Sequence, residues 1–151
     1  LVGAAIHSPA HKQEKKMKKT AMLAVAAVFT LVACGKGSLA KDFGALFEDA
    51  TKDLNAIAAE LKGAKDAKAV ASALNKVYDT MHTMKTKGAE LEKKHGMKAK
   101  GAMPPELKEK NEAFQAAVKN VFSGETQAVM QKFAASPEVL EALNKIKSLK
   151  G

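Results

Sequence analysis

The sequence predicts an all-α fold, an antiparallel helical bundle of three long helices or four to five shorter ones. From residue 39 onwards the chain is rich in Ala and Lys and poor in β-branched residues, a composition typical of helices. Apolar residues in this part recur at spacings of three and four, as on one face of a helix. No stretch alternates in the manner of a strand. We therefore expect one helical domain over residues 39–151.

The residues before this domain have a different character. Residues 1–16 are polar and without periodicity, and we interpret them as a disordered upstream segment or an extended n-region. Met17 is followed by two lysines and then by an apolar run that ends at Ala33. The run is too short to span a membrane, which takes about 20 apolar residues. We expect residues 17–33 to form a signal-peptide helix that precedes the bundle.

The apolar run closes with Leu31, Val32, Ala33 and Cys34. This tetrad resembles the lipobox of bacterial lipoproteins. The resemblance implies that the first three residues are recognised by the signal peptidase, that the chain is cut before Cys34, and that its thiol carries a diacylglycerol. A thiol suits this chemistry because its thiolate is a strong nucleophile. Cys34 is the only cysteine, so no disulfide competes for it.

The lipoprotein resemblance also implies a cellular location. The chain is similar to small helical lipoproteins of the Gram-negative envelope, many of which have no assigned role. Gly35 follows the cysteine, where Asp in many enteric lipoproteins signals retention at the inner membrane. The resemblance therefore implies an outer-membrane location facing the periplasm. It carries over no functional residue beyond Cys34.

The tether, residues 34–38, leads into the first helix. We expect Ser38 to cap this helix and Asp42 to lie in its first turn, where an acid complements the helix dipole. The helix should run from Leu39 to Lys62 and end at Gly63. Its predicted buried stripe consists of Phe43, Phe47, Ala50, Leu54, Ile57 and Leu61.

The second helix is predicted from Ala67 to His95, with Asp66 as its cap. Its apolar stripe alternates spacings of four and three along the whole length, which is typical of coiled-coil-like packing. Gly96 should end the helix, and a loop over residues 97–103 follows. The stripe consists of Val70, Leu74, Val77, Met81, Met84, Gly88, Leu91 and His95.

Pro104 and Pro105 start the third helix, since proline is favoured at a first helical position. Asn111 falls on its apolar stripe and would fix the register if it were buried. The sequence leaves open whether Gly124 ends this helix or only bends it. The run Ser136–Glu138, with Pro137 at its centre, predicts the start of a last helix. The remaining stripe residues are Leu107, Phe114, Val118, Val121 and Phe122, then Val129, Met130 and Phe133, then Val139, Leu143 and Ile146.

Composition disfavours nucleic acid as a partner and disfavours catalysis. From Cys34 onwards 20 lysines face 15 acidic residues, there is no Arg for bidentate phosphate or base contacts, and Tyr78 is the only Tyr or Trp. The pairs Glu90 with Glu92 and Glu106 with Glu109 stand among lysines, which is typical of a solvated surface. The sequence has no Gly-rich phosphate loop and no nucleophile elbow. We expect no enzyme.

The methionines and histidines indicate an alternative function. In this hypothesis the chain is a periplasmic bundle that binds haem, a metal or an apolar molecule between the first two helices. The helix layout and the proline-led third helix resemble the periplasmic haem-b four-helix cytochromes. Those proteins use a Met near the start of the first helix and a His in the last, and this chain has neither. We therefore expect no cofactor and no metal. The residues concerned are Met81, His82, Met84, His95, Met97 and Met103.

The leading hypothesis is a non-enzymatic interaction or structural module, held at the membrane by Cys34, with envelope proteins as partners. If the predicted first helix is about 36 Å long and the second about 43 Å, the second overshoots on its way back. The basic turn after it would then lie near the lipid headgroups. Lys93, Lys94, Lys98 and Lys100 are the candidate membrane-surface contacts.

Overall fold

The computed structural model describes residues 37–95 and 103–149, which form five α-helices and no strand. This confirms the predicted all-α bundle. Residues 1–36, with the predicted signal-peptide helix and Cys34, lie outside the described residues. The helices are α1 (Gly37–Gly63), α2 (Ala67–Lys94), α3 (Pro105–Val121), α4 (Gly124–Lys132) and α5 (Pro137–Ser148).

The two longest helices form the antiparallel centre of the bundle. Lys76 of α2 binds Glu60 near the end of α1, at 2.7 Å between Nζ and Oε2, whereas Lys94 binds Asp42 near the start of α1. Helix α3 packs on the other side of α1, and α5 packs on the other side of α2. The order across the bundle is therefore α3, α1, α2, α5.

The outer helices run parallel to the inner helices on which they pack. Phe114 of α3 contacts Phe47 of α1 with 5.9 Å between ring centroids, and Glu125 at the start of α4 lies 3.5 Å from Lys62 at the end of α1. Helix α5 follows α4 and therefore starts at this same end of the bundle. Leu149, the residue after α5, accepts a hydrogen bond from Lys85 in the middle of α2. Each long helix therefore runs antiparallel to the long helix before it in the chain, as the predicted antiparallel bundle requires, and α1 and α3 are parallel neighbours.

The apolar stripes predicted from the sequence form the core. All six predicted residues of α1 are buried, because their spacing keeps them on one face between α2 and α3. On α2 the stripe is fully buried at Val70, Leu74 and Val77, which are 0% exposed. Further along, Met81 and Leu91 are only half-buried, whereas Met84 and Gly88 of the same stripe are buried.

The start of α1 differs from the prediction. Helix α1 begins at Gly37, so Ser38 lies inside it and not at the N-cap position. Asp42 lies in the second turn and does not complement the dipole, since the first turn contains no acid. The start of α2 agrees with the prediction, because the Asp66 carboxylate accepts a hydrogen bond from the Ala69 amide at 2.8 Å.

Gly124 breaks the chain into two helices, which settles the alternative that the sequence left open. Helix α3 ends at Val121, and Gly124 opens α4 with φ of 59°, a conformation that favours glycine. The buried hydroxyl of Thr126 lies 2.8 Å from the carbonyl oxygen of Asn120 and 2.6 Å from that of Ser123. Its single hydrogen can therefore be donated to the Asn120 carbonyl in the last turn of α3 or to the Ser123 carbonyl at the N-cap of α4.

The last helix starts where the sequence predicted. Pro137 occupies the first turn of α5, and Glu138 follows it there. Ser136 occupies the N-cap position, but its side chain makes no capping hydrogen bond. The helix boundary is thus confirmed, whereas the capping bond itself is not formed.

Candidate functional site

The start of α1 and the end of α2 meet at one end of the bundle, which we call the tether end because Gly37 lies three residues after Cys34. The carboxylate of Asp42 joins the two helices there. Its Oδ2 accepts a hydrogen bond from Lys94 Nζ at 2.9 Å and lies 3.1 Å from His95 Nε2. We call these three residues the Asp42 clasp.

Exposure and charge both act on the Asp42 clasp. The side chain of His95 is 15% exposed and that of Asp42 is 30% exposed, so water reaches the carboxylate only partly. The hydrogen bond from Lys94, followed by the one with His95, lowers the pKa of Asp42 below its ordinary value of 3.8. Asp42 is therefore ionised at neutral pH and holds two donors from the last turn of α2.

The structure describes two of the four lysines of the basic turn, Lys93 and Lys94. Lys93 is exposed and makes no ion pair with any described residue, whereas Lys94 is engaged by Asp42. Lys98 and Lys100 lie outside the described residues. The described residues contain 16 lysines and 15 acidic residues and are thus almost neutral. The positive excess of the chain from Cys34 onwards consequently falls mainly on residues that the structure does not describe.

The lengths of α1 and α2 correct the predicted overshoot. The helices have 27 and 28 residues and are therefore nearly equal in length. Since α1 begins five residues before Asp42, the end of α2 lies beside the first turns of α1 and does not extend past them. The prediction that both reach the same end of the bundle is correct, and the overshoot is wrong.

The predicted lipid-attachment residue Cys34 and the predicted peptidase recognition residues Leu31, Val32 and Ala33 all lie outside the described residues. Their roles therefore remain predictions. Helix α1 starts at Gly37, within the predicted tether, and its first turns lie at the same end of the bundle as the last turn of α2.

The candidate methionines and histidines that the structure describes lie in different places. Met84 is buried and Met81 half-buried in the stripe of α2, whereas His82 is exposed and stacks on Tyr78 at 5.8 Å between ring centroids. His95 belongs to the Asp42 clasp, and Met97 lies outside the described residues. Among the described residues no group of three or more His, Cys, Asp or Glu side chains could hold a metal ion.

The space between α1 and α2 is an open surface groove of about 380 Å³. Its walls carry carboxylates of both helices, Asp49 and Asp53 from α1 and Asp79 from α2, together with lysines. Leu46 and Met84 are among its apolar lining residues. The groove is polar and solvated, and it differs from the apolar pockets that usually enclose small ligands.

The two pairs of glutamates considered for acid–base chemistry lie on the surface. Glu90, Glu106 and Glu109 are exposed, and Glu92 is half-buried. Sequence reasoning missed the Asp42 clasp, because Asp42 and His95 are 53 positions apart and no local pattern links them. It becomes visible only once the antiparallel pairing of α1 and α2 is known.

No described helix combines the length and the apolar character that crossing a membrane requires. Comparisons with protein families, with curated proteins and with solved structures found no match to this chain.

Proposed function

We propose that this chain is a lipid-anchored protein of the bacterial envelope whose helical bundle is a non-enzymatic interaction or structural module. One observation carries the proposal, the succession of a charged start at Met17, a short apolar run and the tetrad that ends in Cys34. Each part has a separate chemical purpose in lipoprotein export, since targeting, cleavage and thioether formation need different residues. Their occurrence in the required order is what supports the assignment.

The described bundle fits such an anchor. Two residues, Gly35 and Lys36, separate Cys34 from the start of α1 at Gly37, and the three residue steps from Cys34 to Gly37 span at most about 10 Å. A lipid on Cys34 would therefore hold the tether end close to the bilayer. The opposite end, which contains the turn between α1 and α2 and the corner between α3 and α4, would face away from the membrane.

The surface of the bundle supports an interaction or structural role. Its charged side chains pair with one another between helices, as in Lys76 with Glu60 and Lys110 with Glu48. Exposed pairs of this kind contribute little stability, typically about 0–1 kcal/mol each. They present a mixed, solvated surface to partners. We propose envelope proteins and the membrane as those partners, with the outer membrane as the location.

Mass spectrometry of the protein extracted from membranes tests the anchor. We expect a chain that begins at Cys34 and carries diacylglycerol and an acyl chain, because two or more chains are needed for stable anchoring. The variant Cys34→Ser should stay unprocessed and carry no lipid. A matched control, Cys34→Ser combined with Ser38→Cys, keeps one thiol but moves it away from the tetrad, and it should also carry no lipid.

Two results would overturn the proposal. One is a Cys34→Ser protein that is still cut and still fully bound to membranes. The other is lipid attached in the control variant, since the thiol alone and not the tetrad would then direct the modification.

A further inference from the structure

We propose that Asp42 is an acid-sensitive clasp, which holds the last turn of α2 on the first turns of α1 at neutral pH and releases it in acid. The inference concerns only described residues and does not depend on the lipid anchor. Its geometric basis is one carboxylate oxygen, Asp42 Oδ2, which receives Lys94 Nζ at 2.9 Å and His95 Nε2 at 3.1 Å.

The Asp42 clasp lies at the C-terminal end of α2 and connects that end to α1. Helix α2 ends at Lys94, and His95 is its C-cap residue, whose backbone amide donates to the Leu91 carbonyl at 3.0 Å. Leu149, the residue after α5, accepts a hydrogen bond from Lys85, six positions before Leu91. Within the described ranges, the polar side-chain contacts of the last turn of α2 are those with Asp42 of α1, which form the clasp.

Asp42 is the member of the clasp whose charge controls both hydrogen bonds. Protonation of the carboxylate removes the negative charge that attracts Lys94 and leaves a neutral acid, which binds cationic donors weakly. Because the pKa of Asp42 is lowered in the folded protein, its contribution is complete above the ordinary Asp pKa of 3.8 and is lost as the pH falls below that value.

Other charges near the clasp do not replace Asp42. Lys41, its neighbour on α1, has the same sign as the donors, and Lys110 of α3 is bound to Glu48 at 2.7 Å. The acids of α2 and α3 at this end form no ion pair with Lys94 or His95 among the described residues. The other charged residues of these turns are Glu90, Glu92 and Lys93 on α2 and Glu106, Lys108 and Glu109 on α3.

Backbone ¹³C chemical shifts of the full chain, recorded from pH 7 to pH 2.5, test the clasp residue by residue. In the natural sequence we expect the helicity of residues 91–95 to fall below about pH 4, while residues 70–77 keep theirs. The variant Asp42→Asn should lose several-fold in the helix population of residues 91–95 already at pH 7. It should show no further change on acidification.

Two further variants separate the clasp from general effects. Glu60→Gln breaks the ion pair with Lys76 at the other end of the same two helices, and residues 91–95 should then behave as in the natural sequence. His95→Gln keeps a donor that does not titrate, so the transition below about pH 4 should remain.

Three results would overturn the inference. The first is Asp42→Asn with natural helicity at residues 91–95 at pH 7. The second is a transition centred between about pH 6 and 7, which would belong to a histidine and not to Asp42. The third is a simultaneous loss of helicity at residues 70–77 and 91–95, which would be global acid unfolding.

Discussion

Asn111 is a buried polar side chain on the apolar stripe of α3. It is 9% exposed, and its Oδ1 atom has no hydrogen-bond partner in the part of the chain that the structure describes. A buried polar group without a partner costs about 1–3 kcal/mol of stability. The sequence predicted that a buried Asn here would fix the register of the helix, and the structure shows the burial.

Replacing Asn111 with Leu should therefore raise the free energy of unfolding by about 1 kcal/mol or more, since it removes the unpaired amide and adds apolar contacts. Thermal melts would measure the change. Leu at the exposed position Gln115 of the same helix is the matched control and should shift stability by less than about 0.5 kcal/mol. A lower free energy of unfolding in Asn111→Leu would contradict the prediction. It would mean that the Asn111 amide is required for the stability of the bundle.

At the scale of the element, α2 gives the sharpest contrast between core and surface. Leu74 and Val77 are 0% exposed, whereas Lys76 between them is exposed and binds Glu60. The three positions lie within one turn of the same helix, so their backbone conformation is similar. Differences among their variants therefore report burial and not the local backbone.

We expect Leu74→Ala to lower the free energy of unfolding by about 2–5 kcal/mol, because it opens a cavity in the core. Val77→Asp should be at least as damaging, since it buries a charge without a partner. Lys76→Ala should cost about 1 kcal/mol or less, because its ion pair is exposed. Chemical denaturation would rank the three variants, and any other order would show that the stripe of α2 is not the core.

The helices themselves could be predicted from the sequence because their causes are local. The cap at Asp66, the proline starts at Pro105 and Pro137 and the apolar periods all act within a few residues. The corner at Gly124 could not be decided, because a glycine permits both a bend and a break. The broken form places the buried Thr126 hydroxyl within hydrogen-bond distance of the carbonyl oxygens of Asn120 and Ser123, a contact that no local sequence pattern predicts.

The relation between helices and the candidate site could be predicted only in part. Chain reversal after Gly63 predicts that α2 returns to the start of α1, and the Asp42 clasp confirms that meeting. The partners within the clasp depend on the rotation of each helix about its axis, which packing of the whole core determines. The parallel packing of α3 on α1 depends likewise on which faces remain uncovered.

At the scale of the whole molecule, the described bundle is nearly neutral, and the two described lysines of the basic turn, Lys93 and Lys94, lie at the tether end. Lys94 is partly compensated by Asp42, so Lys93 with Lys98 and Lys100 would provide most of the attraction to an anionic membrane surface. Each lysine close to such a surface contributes about 1 kcal/mol, and this falls as salt rises. Glu90 and Glu92 on the same turns oppose the attraction.

We therefore expect the chain from Gly35 onwards, which contains every described helix but no lipid site, to bind anionic vesicles weakly at low salt. It should not bind neutral vesicles, because the attraction is electrostatic. Changing the lysines of the basic turn to Gln should abolish co-sedimentation with the anionic vesicles. The lysines changed are Lys93, Lys94, Lys98 and Lys100.

The control variant also loses four positive charges, but at the opposite end of the bundle. In it Gln replaces Lys62, Lys65, Lys68 and Lys119. If net charge alone drove binding, both variants would lose it equally. If the tether end faces the membrane, the control should keep nearly all binding, since its charges lie a helix length, about 40 Å, from the surface and beyond the Debye length of about 10 Å. Equal binding by the natural chain and the basic-turn variant would exclude that surface as a membrane contact.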